Sequence, residues 1–175
     1  QKKIMAICGS TRQDSVNHHL INEISRIYRS QFQIDLYIGI AGIIAFNPDI
    51  SAAAQPEAVL AFRQAIREAD GVLICTPEYA HGVPGALKNA LDWTVGSADF
   101  SGKPTALITA STDGSFAHAA LLEILRTIDA KNVNDHNLLI QFIKAKMDDG
   151  KKLNHQPTIA AIELLMNAFG STINN

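Results

Sequence analysis

Short apolar runs and amphipathic helical stretches take turns along the whole of this chain. Lys2 to Cys8 reads as a buried strand, and Ser15 to about Arg29 as a helix with Val16, Leu20, Ile24 and Ile27 turned inward. Phe32 to Ile38 sets Phe32, Ile34, Leu36 and Ile38 against polar partners, the pattern of a second strand at an edge. Pro56 opens a helix that runs through Ala69, with Val59, Leu60, Phe62 and Ile66 as its core face. Val72 to Cys75 is a third strand, and Pro84 opens a helix whose large apolar residues are Leu87, Leu91 and Trp93. Thr105 to Thr109 is a fourth strand and Phe116 to Ile128 a helix. Leu138 to Phe142, with Val133 ahead of it, holds a fifth strand, and Pro157 to Phe169 is the last helix. Ile40 to Ala54 is a long connection with turn signals, expected to cover an edge or a partner surface, and Asp148 to Gln156 is a polar loop. Five strands alternating with five helices imply an α/β protein in three layers, a five-stranded parallel sheet with helices on both faces; the expected order is 2-1-3-4-5, one of the common doubly wound orders. Ligands of such sheets sit at the carboxyl ends of the strands, near the point where strand order reverses. Three loops meet there: Gly9–Asn17, Thr76–Val83 and Ala110–Ser115.

The first of these, Gly9-Ser10-Thr11-Arg12-Gln13-Asp14-Ser15-Val16-Asn17, joins a strand to a helix start. A helix N-terminus presents unpaired N–H groups and a partial positive charge, which favour an anion. The loop adds the hydroxyls of Ser10, Thr11 and Ser15, the Asn17 amide and the Arg12 guanidinium, all donors to phosphate oxygens. It lacks the Gly-Lys-Ser/Thr ending of a Walker loop and the G-x-G-x-x-G dinucleotide fingerprint. A hydroxyl-rich loop of this kind suits a mononucleotide such as FMN; the plainer alternative is a polar turn in which Ser15 caps the helix. In the second loop Tyr79 and His81 place flat polar rings at a strand end between two stiffening prolines, Pro77 and Pro84. Flat rings and exposed amides suit a planar aromatic ligand; the plainer alternative is an ordinary connection with a surface tyrosine.

Bulk properties narrow the classes. At 175 residues, 47% apolar and 18% charged, the chain is expected to form one domain with a sizeable core. A net charge of −2 advertises no nucleic-acid partner, and no apolar run approaches the ~18 residues of a membrane-spanning helix. Gln1-Lys2-Lys3 enters a strand at once, so no signal peptide is expected; the missing initiator Met points to residues removed ahead of Gln1, and the expected location is cytoplasmic. Cys8 and Cys75 are too few for a disulfide framework and read as buried, reduced thiols that lie near one another if strands one and three are neighbours. The six histidines show no metal-ligand spacing, so no metal site is expected. No carboxylate pair or G-x-S-x-G elbow supports hydrolysis.

Gly9-Ser10-Thr11-Arg12 with Ser15-Val16-Asn17, followed by Pro77-Glu78-Tyr79 and Val83-Pro84-Gly85-Ala86-Leu87-Lys88-Asn89-Ala90-Leu91-Asp92-Trp93, resembles the NADPH-dependent FMN reductase family. That flavodoxin-like group includes quinone, azo-dye and chromate reductases. The resemblance runs from Lys2 to about Phe142 and implies that residues 1–175 form a single flavodoxin-like FMN-binding domain. It implies that Ser10, Arg12, Ser15 and Asn17, with Val16 between them, hold the FMN phosphate. Pro77, Glu78 and Tyr79 would line the flavin ring, helped by backbone near Ala80 and His81, and the third loop, through Ser111, Asp113 and Gly114, would complete the site. Two departures bear on substrate choice: Asp113 beside a single Gly114 where the family carries a glycine-rich loop, and His81.

The implied activity passes two electrons from NADPH or NADH through FMN to a small acceptor: a quinone, an azo compound, a metal oxyanion or free flavin. Tyr79 would shape the stacking face, and His81 is a candidate proton donor whose plainer reading is a solvated loop histidine. The resemblance also implies a homodimer or homotetramer, with the helix bearing Leu91 and Trp93 packed on a partner subunit; the plainer alternative is that this face belongs to the chain's own core. Two alternatives stay open: a flavodoxin-type FMN electron carrier, against which the modest net charge argues, and a flavin-free signalling module. The second lacks the acidic cluster and phosphoacceptor Asp at the first and third strand ends.

Overall fold

A parallel strand reaches its neighbour only through a crossover, and here the crossovers divide between the two faces of one sheet. The computed structural model describes residues 1–174. Its strands are β1 (Lys2–Cys8), β2 (Phe32–Tyr37), β3 (Gly71–Thr76), β4 (Thr105–Ala110) and β5 (Asn137–Ile140). Its α-helices are α1 (Val16–Ile27), α2 (Glu57–Glu68), α3 (Gly85–Asp92), α4 (Ser115–Thr127) and α5 (Gln156–Asn174). All strand pairs are parallel and the order is β2-β1-β3-β4-β5, as expected. Alternate residues of each strand face opposite sides. Ile4, Ala6 and Cys8 meet Leu20, Ile21 and Ile24 of α1 and Ile162, Met166 and Phe169 of α5. Met5 and Ile7 belong to the core on the other face, with Val59, Phe62 and Ile66 of α2, Leu87 and Leu91 of α3, and Leu121 and Leu125 of α4.

Several boundaries differ from the sequence expectation, each for a packing reason. The fifth strand is Asn137–Ile140 and stops before Phe142, because β4 offers no partner beyond Ala110, which pairs with Ile140. The second strand stops at Tyr37, leaving Ile38 85% exposed. Ile27 is 47% exposed and Leu60 is also largely exposed; Tyr28, just past the end of α1, takes the buried place instead. The last helix runs on through Gly170 to Asn174, and the glycine leaves room for the Phe32 ring, which would lie 2.8 Å from a Cβ there. Leu91 and Trp93, expected at a subunit contact, are buried within the chain itself. Trp93 Nε1–H donates to the Ile44 carbonyl (2.9 Å), and the Asn89 amide donates to Ile43 and Ile44 and accepts from the Phe46 N–H (2.7 Å). The Ile40–Ala54 connection is therefore pinned to α3.

Cys8 and Cys75 are register partners on β1 and β3, both buried and unbridged. Burial pushes the Cys8 thiol up to about 11 and the Cys75 thiol well above its ordinary value, so neither serves as a nucleophile at neutral pH. Asp99, its side chain 4% exposed, accepts from Arg63 (2.6 Å) and Arg67 (2.9 Å) and ties α2 to the connection between α3 and β4. His136 is buried against Phe169, with Nε2 3.2 Å from the Thr172 hydroxyl and Nδ1 without a partner among the described residues. Burial holds its pKa below the usual value, only partly offset by Asp135, so the fold prefers the neutral ring. A depressed pKa gives stability that is present above the unfolded value of about 6.5 and is lost as pH falls through the folded value. The melting temperature is expected to drop by about 2–4 °C between pH 7.5 and 5.5, and by less in His136→Phe, as calorimetry at the two pH values will show.

Candidate active site

Strand order reverses at β1: the chain leaves β1 through α1 toward β2 and returns through α2 on the other face to β3. The loops after β1 and β3 therefore part, and a cavity of about 330 Å³ opens at the carboxyl ends of the strands. Gly9 lets β1 end there. Its N–H donates to the Cys75 carbonyl (2.8 Å), and a Cβ on it would lie 2.0 Å from Thr76 Oγ1.

The cavity is lined by Ser10, Arg12, Ser15, Val16 and Asn17 of the first loop, by Pro77, Glu78 and Tyr79 of the second and by Ser111 of the third. Ser15 caps α1 by accepting from the Asn17 N–H (3.2 Å), so the capping role and the cavity-lining position coexist in one residue. Asn17 is buried; its Nδ2 donates to the Ala110 carbonyl (3.0 Å), and its Oδ1 has no partner among the described residues. Arg12 makes one side-chain bond, to the Asp14 carbonyl (3.0 Å). Asp14 is held by Lys151 and by His19 (2.8 Å), and these bonds lower its pKa to about 2.

Hydrogen bonds join the three loops to one another. The Ser10 and Tyr79 hydroxyls meet at 2.9 Å, and the Glu78 N–H donates to Ser111 Oγ (3.2 Å). The Glu78 carboxylate, 7% exposed, turns away from the cleft and accepts from the N–H groups of Gly114 (3.4 Å) and Ala117 (2.8 Å). It sits at the positive end of α4, where a carboxylate is stabilising. Four expected contacts stand outside the cavity wall. Ala80 and His81, both with left-handed backbone (φ 49° and 55°), form the two-residue turn between Tyr79 and Gly82. His81 projects into solvent, edge-on to Phe116 and 3.8 Å from Glu78. Asp113 accepts from the Gln141 amide (2.9 Å), and that bond leads the lowering of its pKa. Gly114 turns the chain into α4 with φ 94°, where a Cβ would crowd Leu139 at 2.9 Å.

Ala110 and Thr112 of the third loop also line the cavity, and sequence reasoning missed the segment Phe142–Ala145, which forms a fourth wall. Phe142 has left-handed backbone (φ 52°) and turns the chain out of β5 into a single 3-10 turn, Ile143–Lys146. The interruption of the apolar run at Gln141 was the one sign available that the strand ends there.

The cleft thus runs from hydroxyl and guanidinium donors beside a helix N-terminus to the flat faces of Pro77 and Tyr79, which fits a molecule with an anionic tail and a planar head. The orphaned Asn17 acceptor fits a ligand that also carries hydroxyls. The family model described as NADPH-dependent FMN reductase matches residues 2–145. A 2-hydroxy-1,4-benzoquinone reductase of Burkholderia sp is 30% identical, with 98% of this chain and 96% of that one covered. An NADH-dependent flavin reductase subunit 2 of Lactobacillus johnsonii is 36% identical, with 95% of each covered. Among solved structures, a flavoenzyme NAD(P)H:(acceptor) oxidoreductase of Paracoccus denitrificans superposes with a TM-score of 0.81 at 27% identity, covering 99% of this chain and 98% of that one. The chain belongs to the NADPH-dependent FMN reductase family: it is a flavodoxin-like oxidoreductase with FMN as cofactor and NAD(P)H as reductant.

The Glu78 clamp holds the second loop to the third. Glu78→Ala is expected to lower stability by about 1–2 kcal/mol, the usual cost of losing a helix cap, measured by urea unfolding.

Proposed function

We propose that the cleft holds FMN and that the enzyme delivers two electrons from NAD(P)H to a small quinoid acceptor. The observation that carries this is the Ser10–Tyr79 hydrogen bond, which joins a phosphate-type loop to a planar-ligand loop across one cavity. Bound FMN would supply the chemistry, accepting hydride from NAD(P)H and passing two electrons on, so no side-chain nucleophile is needed. Ser10, Arg12 and Ser15, with the backbone at Val16, would donate to the phosphate. Asn17 Oδ1 would accept from a ligand hydroxyl. Pro77 and Tyr79 would bracket the ring, and Glu78 acts at one remove by fixing the loop that carries Ser111. His81 is left without a contact to the cleft, and its exposed position favours the solvated reading over a role in proton delivery.

The acceptor class rests on chemistry and on relatives. A reduced flavin ring needs only access to give up its electrons, and three relatives at 30–32% identity over nearly the full chain carry quinone reductase names. The purified protein is expected to be yellow, to bleach on a millisecond-to-second scale when NAD(P)H is added without oxygen, and to recover its absorbance when a benzoquinone follows. A protein that binds FMN but is not reduced by NAD(P)H on that scale would be an electron carrier, and the proposal would fail.

The same reading includes a homodimer. Ile44, Phe46 and Val95, all substantially exposed, cluster where the Ile40–Ala54 connection meets Trp93 at the end of α3, with Phe46 edge-on to the Trp93 ring at 5.2 Å. They replace Leu91 and Trp93 as the apolar residues open to a second copy. Light scattering at micromolar concentration is expected to give twice the chain mass or a multiple of it, and Phe46→Asp is expected to halve it.

A further inference from the structure

We infer that Lys144, on the segment after β5, is a second cationic anchor that acts with Arg12 on the phosphate of the bound nucleotide. The inference rests on the FMN reading above and assigns a residue outside the three loops. Lys144 lines the main cleft together with Ser10, Ser15 and Asn17. It also lines an adjoining cavity of about 190 Å³ with Arg12, Val16 and His19, and with the carboxylates Asp14 and Asp148, neither of which pairs with it; this puts it beside the start of α1.

Its position is held by the fold. The Phe142 N–H donates to the Thr112 carbonyl (3.1 Å) and the Ile143 N–H to the Ser111 carbonyl (3.2 Å), so the turn is fastened to the third loop. Ile143 is buried in the core. Left-handed backbone is rare for a bulky residue such as Phe142, and here it redirects the chain toward the cleft.

The charge inventory singles Lys144 out. Lys151 and His19 are both committed to Asp14, which also keeps that carboxylate from repelling an anion. Arg12 binds only a backbone carbonyl. Lys144 has no ion-pair partner among the described residues. Arg12 and Lys144 are thus the two cations of the cleft with charge to spare. A phosphate monoester carries about −1.5 to −2 charge at pH 7. One guanidinium and a helix terminus worth about half a charge leave about half a charge of the full dianion unmatched, and Lys144 meets it as a point charge.

The test is binding, read by quenching of flavin fluorescence on protein stripped of flavin, with FMN and with riboflavin, which lacks the phosphate. In Lys144→Gln the Kd for FMN is expected to rise about tenfold, the loss of one charge-assisted contact, while the Kd for riboflavin stays within about twofold. Lys144→Arg is expected to recover most of the FMN affinity. Equal weakening of both flavins would mean that the side chain only shapes the wall, and no change in either would mean that it does not reach the phosphate; each result overturns the inference. Wild-type protein that takes up riboflavin and FMN equally also overturns it, whereas wild-type protein that takes up neither overturns the FMN reading on which it rests.

Discussion

A parallel sheet buried on both faces can be covered only if its crossovers divide between the two sides, and everything here depends on where they divide. The chain goes from β1 to β2 by one face and comes back to β3 by the other. Two neighbouring strands therefore send their loops apart, and the gap between them is a cleft at the rim of a rigid scaffold. The core on each side is formed by alternate residues of the same strands, so the cleft floor cannot move without disturbing both cores.

Polar contacts then turn three separate loops into one site. Asn17 ties the first loop to the end of β4, Ser10 meets Tyr79, and Glu78 reaches both Ser111 and the start of α4. These bonds lie within the protein itself, so the three loops hold one another in place, and donors fixed by the fold lower the ordering cost of binding. The strained turn at Ala80 and His81 belongs to the same economy: left-handed backbone at two non-glycine residues keeps Tyr79 close to Gly82 and leaves the tyrosine hydroxyl aimed at the first loop.

Local patterns in the chain were reliable where one residue's neighbours in sequence are also its neighbours in space. Val59, Phe62 and Ile66 are spaced for a helix face and lie on one, while Ile4 to Cys8 and Val72 to Cys75 are apolar throughout and are buried on both sides. The same reasoning misplaced Ile27 and Leu60, because a helical period says which side faces inward but not how far the core extends along it. It could not say what Trp93 packs against, because its indole is claimed by Ile44, a residue far back in the chain. It carried the fifth strand through Phe142, because only the end of β4 decides where its partner stops.

The sequence by itself determined the alternation of strands and helices and the first two loops of the site. Periodicity, glycine, proline and hydroxyl placement act over a few residues, and each of those features is built from a few residues. Tertiary structure alone decided that the Glu78 carboxylate serves α4 rather than the cleft, that His81 faces solvent, and that Phe142 to Ala145 close a fourth wall. Each of those outcomes depends on a donor, an acceptor or a vacant volume supplied by a distant segment, and no local pattern encodes which distant segment arrives.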